Sequence, residues 1–462
     1  MRQKNKELHR YFIGIGGIGM SALARYFLAK KHRVSGSDLN QSAITASMVA
    51  SGASIYQGHH QDHISTDIDQ VVISSAITDA NPELIQAKAL GIPVVSRASV
   101  LNEILMKGTQ RVAITGAHGK STSTGILSGI LVESGQKATC LIGAELFPYN
   151  SNCVMGNDET VLVEADESDA SFREIRPNHL LITNMDSEHM AHYKTMDALI
   201  ASFQDYIHVM RDQGCHFYIN NDDEILPGLM ASVPRSQWTS FGIQTESEVM
   251  ATNIQIKGSN THFKLHYQGQ TYPVMVPLMG EHHVYNSISA ITVAIRLGLS
   301  VSQAITHVAG YQGVRRRLEL VGKLKQTKVY DDYAHHPTEI ALTLKGLKSG
   351  GANRLLCIFQ PHRYSRTQSL LSDFASAFKS ADDVIITDIY SANEDPIKGV
   401  TAKALVKKIK STGHVSVQHM PDPMTQIPSL QKSILINDTV VTMGAGDITQ
   451  LSHSLVKKTP KR

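Results

Sequence analysis

Between residues 111 and 122 an apolar strand, Arg111–Thr115, runs into Gly116-Ala117-His118-Gly119-Lys120-Ser121-Thr122 and then into a helical pattern. A strand that breaks at glycines and restarts as a helix is the unit from which α/β sheets are built. The residue types add chemistry to that geometry. Glycines let backbone N–H groups approach phosphate oxygens, the helix points its positive end at them, Lys120 neutralises charge and Ser121 offers a hydroxyl to Mg²⁺. The stretch therefore reads as a cradle for a nucleoside triphosphate, with ATP the expected ligand. Gly116 and Gly119 enclose two residues where the general pattern has four, which makes this a shortened variant. The alternative is a plain glycine turn followed by an exposed lysine.

The chain has 462 residues, enough for three domains at roughly 150 residues each. With 44 basic and 41 acidic residues its net charge is +3, which gives no electrostatic case for nucleic acid or for a membrane surface. No apolar run reaches the ~18 residues needed to span a bilayer. Cys140, Cys153, Cys215 and Cys357 are scattered without a C-x-x-C pair, so a reducing cytoplasm is the expected location and packing their expected role. Strand-like and helix-like pieces alternate along residues 11–95, again through the centre, and again after Leu318-Glu319-Leu320-Val321. Hinges are expected at Lys107-Gly108 and near residues 317–322. The predicted domains are 1–108, 109–318 and 319–462, all α/β, with a Rossmann-like first domain, a P-loop-type centre on a mostly parallel sheet, and a Rossmann-like third.

The first domain carries Gly14-Ile15-Gly16-Gly17-Ile18-Gly19 between a strand and a helix, trailed by Asp38. This is the form of a dinucleotide fingerprint, yet the same geometry suits any diphosphate, a UDP-sugar included. Tight packing of helix on strand is the purely architectural alternative. In the centre, Val161-Leu162-Val163 ends in Glu164-Ala165-Asp166-Glu167-Ser168-Asp169, four carboxylates that are costly to crowd without a cation, so Mg²⁺ is the attractive reading and a solvated acidic loop the other. His189 and His192 have neither the spacing nor the cysteine partners of a zinc site. In the last third, Asp331 to Glu339 and Phe359 to Thr367 each follow a strand, where ligands of open α/β sheets sit. Arg363 and Arg366 at a helix start can grip a carboxylate or phosphate.

Together with Ser74-Ser75-Ala76-Ile77, Asn184 to His189, Gly280 to Asn286, Arg316-Arg317 and Gly444 to Ile448, these stretches resemble the Mur ligases of peptidoglycan synthesis nearly end to end. The resemblance implies ATP-dependent amide formation, with UDP-N-acetylmuramate and L-alanine as substrates. It assigns Lys120 to the β/γ-phosphates, Ser121 and Glu164 to one Mg²⁺, and His189 to a second. His282 and Asn286 would lie near adenine, and Arg316 or Arg317 near the phosphates. His335, Arg363 and Arg366 would surround the acyl phosphate and the amine. Gly14, Gly16, Gly17 and Gly19, with Asp38, Ser74 and His59, would hold the UDP-sugar, and the protein would be a monomer or homodimer.

Several positions depart from the family pattern. Ala117, Ser121 and Ser123 replace threonines, His283 replaces an asparagine beside the adenine, Ala191 replaces an acidic residue, and Asn393 replaces a glycine. A ligase that recycles a ready-made peptide is a rival within the family; it has Tyr where Ser168 stands. An NAD-dependent oxidoreductase would use Gly14 to Asp38 and leave Lys120, Glu164 and Arg363 idle. A regulatory nucleotide-binding protein would bind ATP and release no phosphate.

Overall fold

The computed structural model describes residues 7–188, 190–413 and 416–457. Three sheets form, each in an α/β setting. The first has the strand order Ser54–Gln57, Arg33–Asp38, His9–Ile13, Gln70–Ile73, Val94–Ser96, all parallel. Its order reverses beside His9–Ile13, which places a crevice at the carboxyl ends of the central strands. His9–Ile13 is buried throughout, and the helix Ile18–Ala29 packs Met20, Leu23, Tyr26 and Phe27 into the core. The edge strand Ser54–Gln57 is short and mostly exposed, so it carries no apolar run to announce it.

The central sheet contains, in order, Trp238–Gly242, His216–Asn220, His179–Ile182, Gln110–Thr115, Thr160–Glu164 and Thr139–Leu146, all parallel, with Ser151–Val154 antiparallel at the edge. Its middle strands are buried on both faces, which explains continuous runs such as Val161-Leu162-Val163. The third sheet runs Glu319–Leu324, Thr327–Asp332, Thr439–Met443, Leu355–Phe359, Asp383–Ile386, Val417–His419, with only the first pair antiparallel.

The chain divides into two compact units. The first comprises residues 1–250, 266–270 and 285–312 and holds the first sheet and most of the central one; the second comprises 251–265, 271–284 and 313–462 and holds the third sheet. Inside the first unit, Arg25 from the helix Ile18–Ala29 donates to Asn152 Oδ1 at 2.9 Å, and Asn152 Nδ2 returns a bond to Ile18 O at 2.6 Å. The first two sheets are thereby tied by polar contacts as well as by one shared apolar core. Among the described residues no helix is long and apolar enough to cross a membrane.

Candidate active site

The strand Gln110–Thr115 leaves the core at Gly116, whose φ is +121°; a Cβ there would stand 2.3 Å from Thr183 Oγ1 and 2.9 Å from Asn184 O, so only glycine fits. The turn is then clamped by Asn184. Its backbone O accepts from Ala117 N at 3.0 Å, its Oδ1 accepts from His118 N at 2.8 Å, and its Nδ2 donates to His118 O at 3.0 Å. Gly119, φ +82°, caps the helix Lys120–Glu133, and a Cβ on it would stand 2.4 Å from Asn286 Oδ1. Thr122 is buried on the first turn, and Ser123 Oγ donates to the same Asn286 oxygen at 3.3 Å. A helix N-terminus bare of side chains and carrying a lysine is what a polyphosphate needs.

Lys120 folds back over the turn. Its Nζ donates to Gly116 O at 2.6 Å, Ala117 O at 3.1 Å and Glu167 Oε1 at 2.8 Å. Burial works against the ammonium, but Glu167, Asp166 and Glu164 together outweigh it and raise its pKa, so Lys120 is charged at neutral pH. Beside it Ser121 Oγ donates to Glu164 Oε1 at 2.9 Å, while Gly143 N donates to Glu164 Oε2 at 2.8 Å. A hydroxyl and a carboxylate, both hard oxygen donors, suit Mg²⁺, so the residues present fit both ATP and its divalent ion. Asp166 and Asp169 stay ionised although burial opposes it. Lys120, the Ser168 amide and Arg97 lower the pKa of the first, and bonds from Ser171 and Ser75 that of the second. His189 lies outside the described residues. His192 is exposed.

At the first sheet, Gly14 N and Ile15 N donate to Ser37 O at 2.8 and 2.9 Å, and Gly16 N donates to Asp38 Oδ2 at 2.9 Å. Asp38 therefore braces the glycine loop through one oxygen and accepts from Asn40 N at 3.0 Å through the other. Gly17 caps the helix Ile18–Ala29, and Gly19 lies against the Arg97 guanidinium. Ser74 follows the strand Gln70–Ile73, and His59 follows Ser54–Gln57, both at carboxyl ends. Arg97, which sequence reasoning passed over, also lies 3.8 Å from Asp166 and 3.4 Å from Ser171 Oγ, a cation between the glycine loop and the acidic loop.

In the second unit, His335 Nδ1 lies 3.0 Å from Tyr333 O, and burial drives the ring's pKa down to about 3 against the pull of Glu339. Asp332, buried, accepts from Leu318 N and Ala334 N; desolvation pushes it up to about 7 although Arg317 and those amides oppose the shift. Arg316 donates to Gly444 O at 2.7 Å and Gly446 O at 3.0 Å, and Arg317 lies 3.5 Å from Glu339. Arg366 Nη1 is 3.4 Å from His362 Nδ1, and the His362 ring stands 6.1 Å from that of His335. Arg363, φ +71°, caps the helix Tyr364–Ser369 and is half-exposed. His335, Arg363 and Arg366 thus gather at the carboxyl ends of two strands with His362, to which sequence reasoning gave no separate role. His282 is half-buried in this unit, and desolvation lowers its pKa to about 4.

Family models match this chain in three consecutive stretches: Mur ligase family, catalytic domain, over residues 9–108; Mur ligase middle domain over 114–294; and Mur ligase, glutamate ligase domain, over 316–446. The chain belongs to the Mur ligase family. It is 38% identical to a UDP-N-acetylmuramate--L-alanine ligase of Desulfatibacillum aliphaticivorans over 99% of each chain, and 37% identical to one of Geotalea uraniireducens with the same coverage. Among solved structures, UDP-N-acetylmuramate-alanine ligase of Thermotoga maritima superposes with a TM-score of 0.83 at 26% identity, over 97% of this chain and 98% of that one. A murein peptide ligase of Psychrobacter arcticus, 23% identical, reaches 0.71 with the same coverage and shares the three-domain α/β fold.

Proposed function

We infer that this Mur ligase is an ATP-dependent enzyme that joins L-alanine to the lactyl carboxylate of UDP-N-acetylmuramate in peptidoglycan precursor synthesis. The observation that carries the reading is the Lys120 and Ser121 cradle built against Glu164 and Glu167, inside a chain similar over its whole length to ligases of that name. A carboxylate is a poor electrophile at neutral pH, so its oxygen has to be converted into a leaving group. The γ-phosphoryl of ATP passes to the lactyl carboxylate, releasing ADP; the amine of L-alanine attacks the acyl phosphate, and phosphate leaves as the amide forms. Positioning and charge neutralisation supply most of the acceleration in such transfers.

The cradle Gly116, Ala117, His118, Gly119, Lys120, Ser121 and Thr122 binds the triphosphate in this reading, Lys120 exchanging its contact with Glu167 for phosphate oxygens. Ser121 and Glu164 would hold one divalent cation and His189 a second, and these ions would supply neutralisation of phosphate charge when bound. Asn286 and His282 serve the adenine, and Arg316 and Arg317 the phosphates. Gly14, Gly16, Gly17, Gly19, Asp38, Ser74 and His59 hold the UDP-sugar. From the second unit, Arg363 and Arg366 present guanidinium groups to carboxylate or phosphate, and His335, held neutral by burial, offers a hydrogen-bonding ring beside the acyl phosphate and the amine rather than a strong base.

Ser168 in place of tyrosine favours alanine over a preformed peptide as the acceptor of the activated carboxylate. The test is substrate omission. Phosphate release is expected only when ATP, Mg²⁺, UDP-N-acetylmuramate and L-alanine are all present, with loss on adding EDTA and in Lys120→Ala. Reduction of NAD, or preference for a tripeptide over alanine, would reassign the protein.

A further inference from the structure

Glu83 is the most enclosed carboxyl group of the first sheet's domain, with a side chain 0% exposed, and nothing in the chemistry above uses it. It sits in the first turn of the helix Pro82–Ala89, whose entry is set by Asn81 accepting from Glu83 N and Leu84 N and by Pro82 at the first helical position. Such a carboxylate survives burial only if its lone pairs are filled. Five donors fill them. Oε1 accepts from Tyr11 Oη at 2.8 Å, His63 Nδ1 at 2.7 Å and, at 3.5 Å, His60 N; Oε2 accepts from Ser37 Oγ at 2.5 Å and His59 Nδ1 at 3.0 Å.

The donor arithmetic fixes a tautomer. Ser37 has one hydroxyl hydrogen, and it is committed to Oε2. Towards His59 Nδ1, 2.9 Å from Ser37 Oγ and 3.0 Å from Glu83, both neighbours therefore offer only lone pairs. Nδ1 must carry the hydrogen, and in the neutral ring Nε2 is left as an acceptor. No hydrogen bond to that Nε2 occurs among the described residues, and it is not sealed from solvent.

Its position matters because of where the ring sits. In a doubly wound sheet with a glycine loop after the first strand, a diphosphate lies at that loop, and the nucleoside extends over the carboxyl ends of the strands on one side of it. Those strands here are Arg33–Asp38, ending at Asp38, and Ser54–Gln57, followed by His59.

We propose that Glu83 is a positioning residue of the nucleotide-sugar site: it locks His59 in the Nδ1–H tautomer, so that Nε2 accepts a hydrogen bond from an N–H or O–H donor of the nucleoside. Uracil offers its imide N3–H and ribose its hydroxyls, the same chemistry from two sources. The proposal rests on the UDP-sugar reading of this domain.

Calorimetric binding of UDP and of UDP-N-acetylmuramate, without ATP or alanine, tests it in the full chain. Glu83→Ala and His59→Ala are each expected to weaken UDP about 10-fold, the scale of one hydrogen bond in a partly enclosed site. The double variant should be no weaker than either single. In turnover, KM for the sugar nucleotide rises while kcat and KM for ATP stay within about 2-fold. 3-Methyl-UDP and 2′-deoxy-UDP assign the donor, because the penalty of Glu83→Ala disappears with the analogue lacking it. Wild-type affinity in Glu83→Ala, or independent multiplying losses, overturns the inference while leaving the ligase reading intact. Absence of UDP-N-acetylmuramate binding to the wild type sinks the ligase reading instead. Should Glu83→Ala fail to fold, ¹⁵N NMR of the wild-type histidines decides: an Nδ1–H tautomer for His59 supports the assignment, and an Nε2–H tautomer overturns it.

Discussion

Removing the Lys120 ammonium should damage two separable properties. The Lys120 and Glu167 side chains are 13% and 3% exposed, 2.8 Å apart, and the lysine also closes the turn through two carbonyl oxygens. Lys120→Met keeps most of the volume and leaves the Glu167 carboxylate enclosed without that cation. Breaking a buried pair in this way costs about 3–5 kcal/mol, whereas replacing both partners by apolar residues is often close to neutral. Lys120→Met should therefore destabilise the first unit by about 3–5 kcal/mol, and Lys120→Met/Glu167→Leu should regain at least half of that. Phosphate release should be absent from both, because Lys120 is the cation that the proposed reading places on the β/γ-phosphates. The assay is urea unfolding of the ligand-free protein followed by the fluorescence of Trp238, the single tryptophan, which lies in the first unit and reports on it. Since the folded-state pKa of Lys120 is raised above its ordinary 10.5, this stabilisation is complete at neutral pH and fades only in strong alkali, so buffer choice between pH 6 and 9 should not alter the difference. Lys120→Met within about 0.5 kcal/mol of wild type, or a double variant less stable than the single, would refute the reasoning.

Gly116→Ala combines a positive φ with a Cβ 2.3 Å from Thr183 Oγ1, and should cost about 2–4 kcal/mol by the Trp238 signal and abolish ATP binding measured by calorimetry. Tolerance of alanine there would mean that the turn is not held as described. The second unit should weaken on acidification. His282, His335 and His362, lowered by burial to about 4, 3 and 4, contribute stability that is present above pH 6.5 and lost below it, as the unfolded chain takes up protons that the folded rings refuse. Asp332, pushed up to about 7, works the other way between pH 7 and 4, but these three rings, joined by His283 whose pKa burial also lowers, outweigh that one carboxyl and leave a net loss of at least ~3 kcal/mol by pH 5. Hydrogen exchange of the buried strand Leu355–Phe359 measures it, and protection that is unchanged or higher at pH 5 contradicts the account.

Much of this molecule is legible in its residues because parallel sheets bury their strands on both faces. Val161-Leu162-Val163 and Leu355–Phe359 could be recognised as strands from composition alone, and glycine turns mark where they end. The short exposed strand Ser54–Gln57 could not, since its pairing with Arg33–Asp38 comes from the backbone and its side chains carry no pattern. Residues of the turn from Gly116 to Thr122 were legible because they are contiguous. The partners that hold them are not: Asn184 and Glu167 come from loops after other strands and Gly143 from within Thr139–Leu146, and their roles are backbone clamping, charge pairing and carboxylate orientation. Arg97 and Glu83 gave no signal, each a lone charge at a helix start.

By itself, the order of residues determined the α/β class, the glycine turn that leads into Lys120, the acidic loop that follows it and the basic and histidine clusters of the last third, because each depends on residues within about ten positions of one another. Tertiary structure decided which of those groups meet. Lys120 rests on Glu167, Ser121 shares Glu164 with a backbone amide of Gly143, and Tyr11, Ser37, His59 and His63 converge on one enclosed carboxylate. The reason is physical: hydrogen bonds and charge pairs form between whatever side chains a sheet delivers to the same strand ends, and that delivery depends on strand order, which local sequence does not encode.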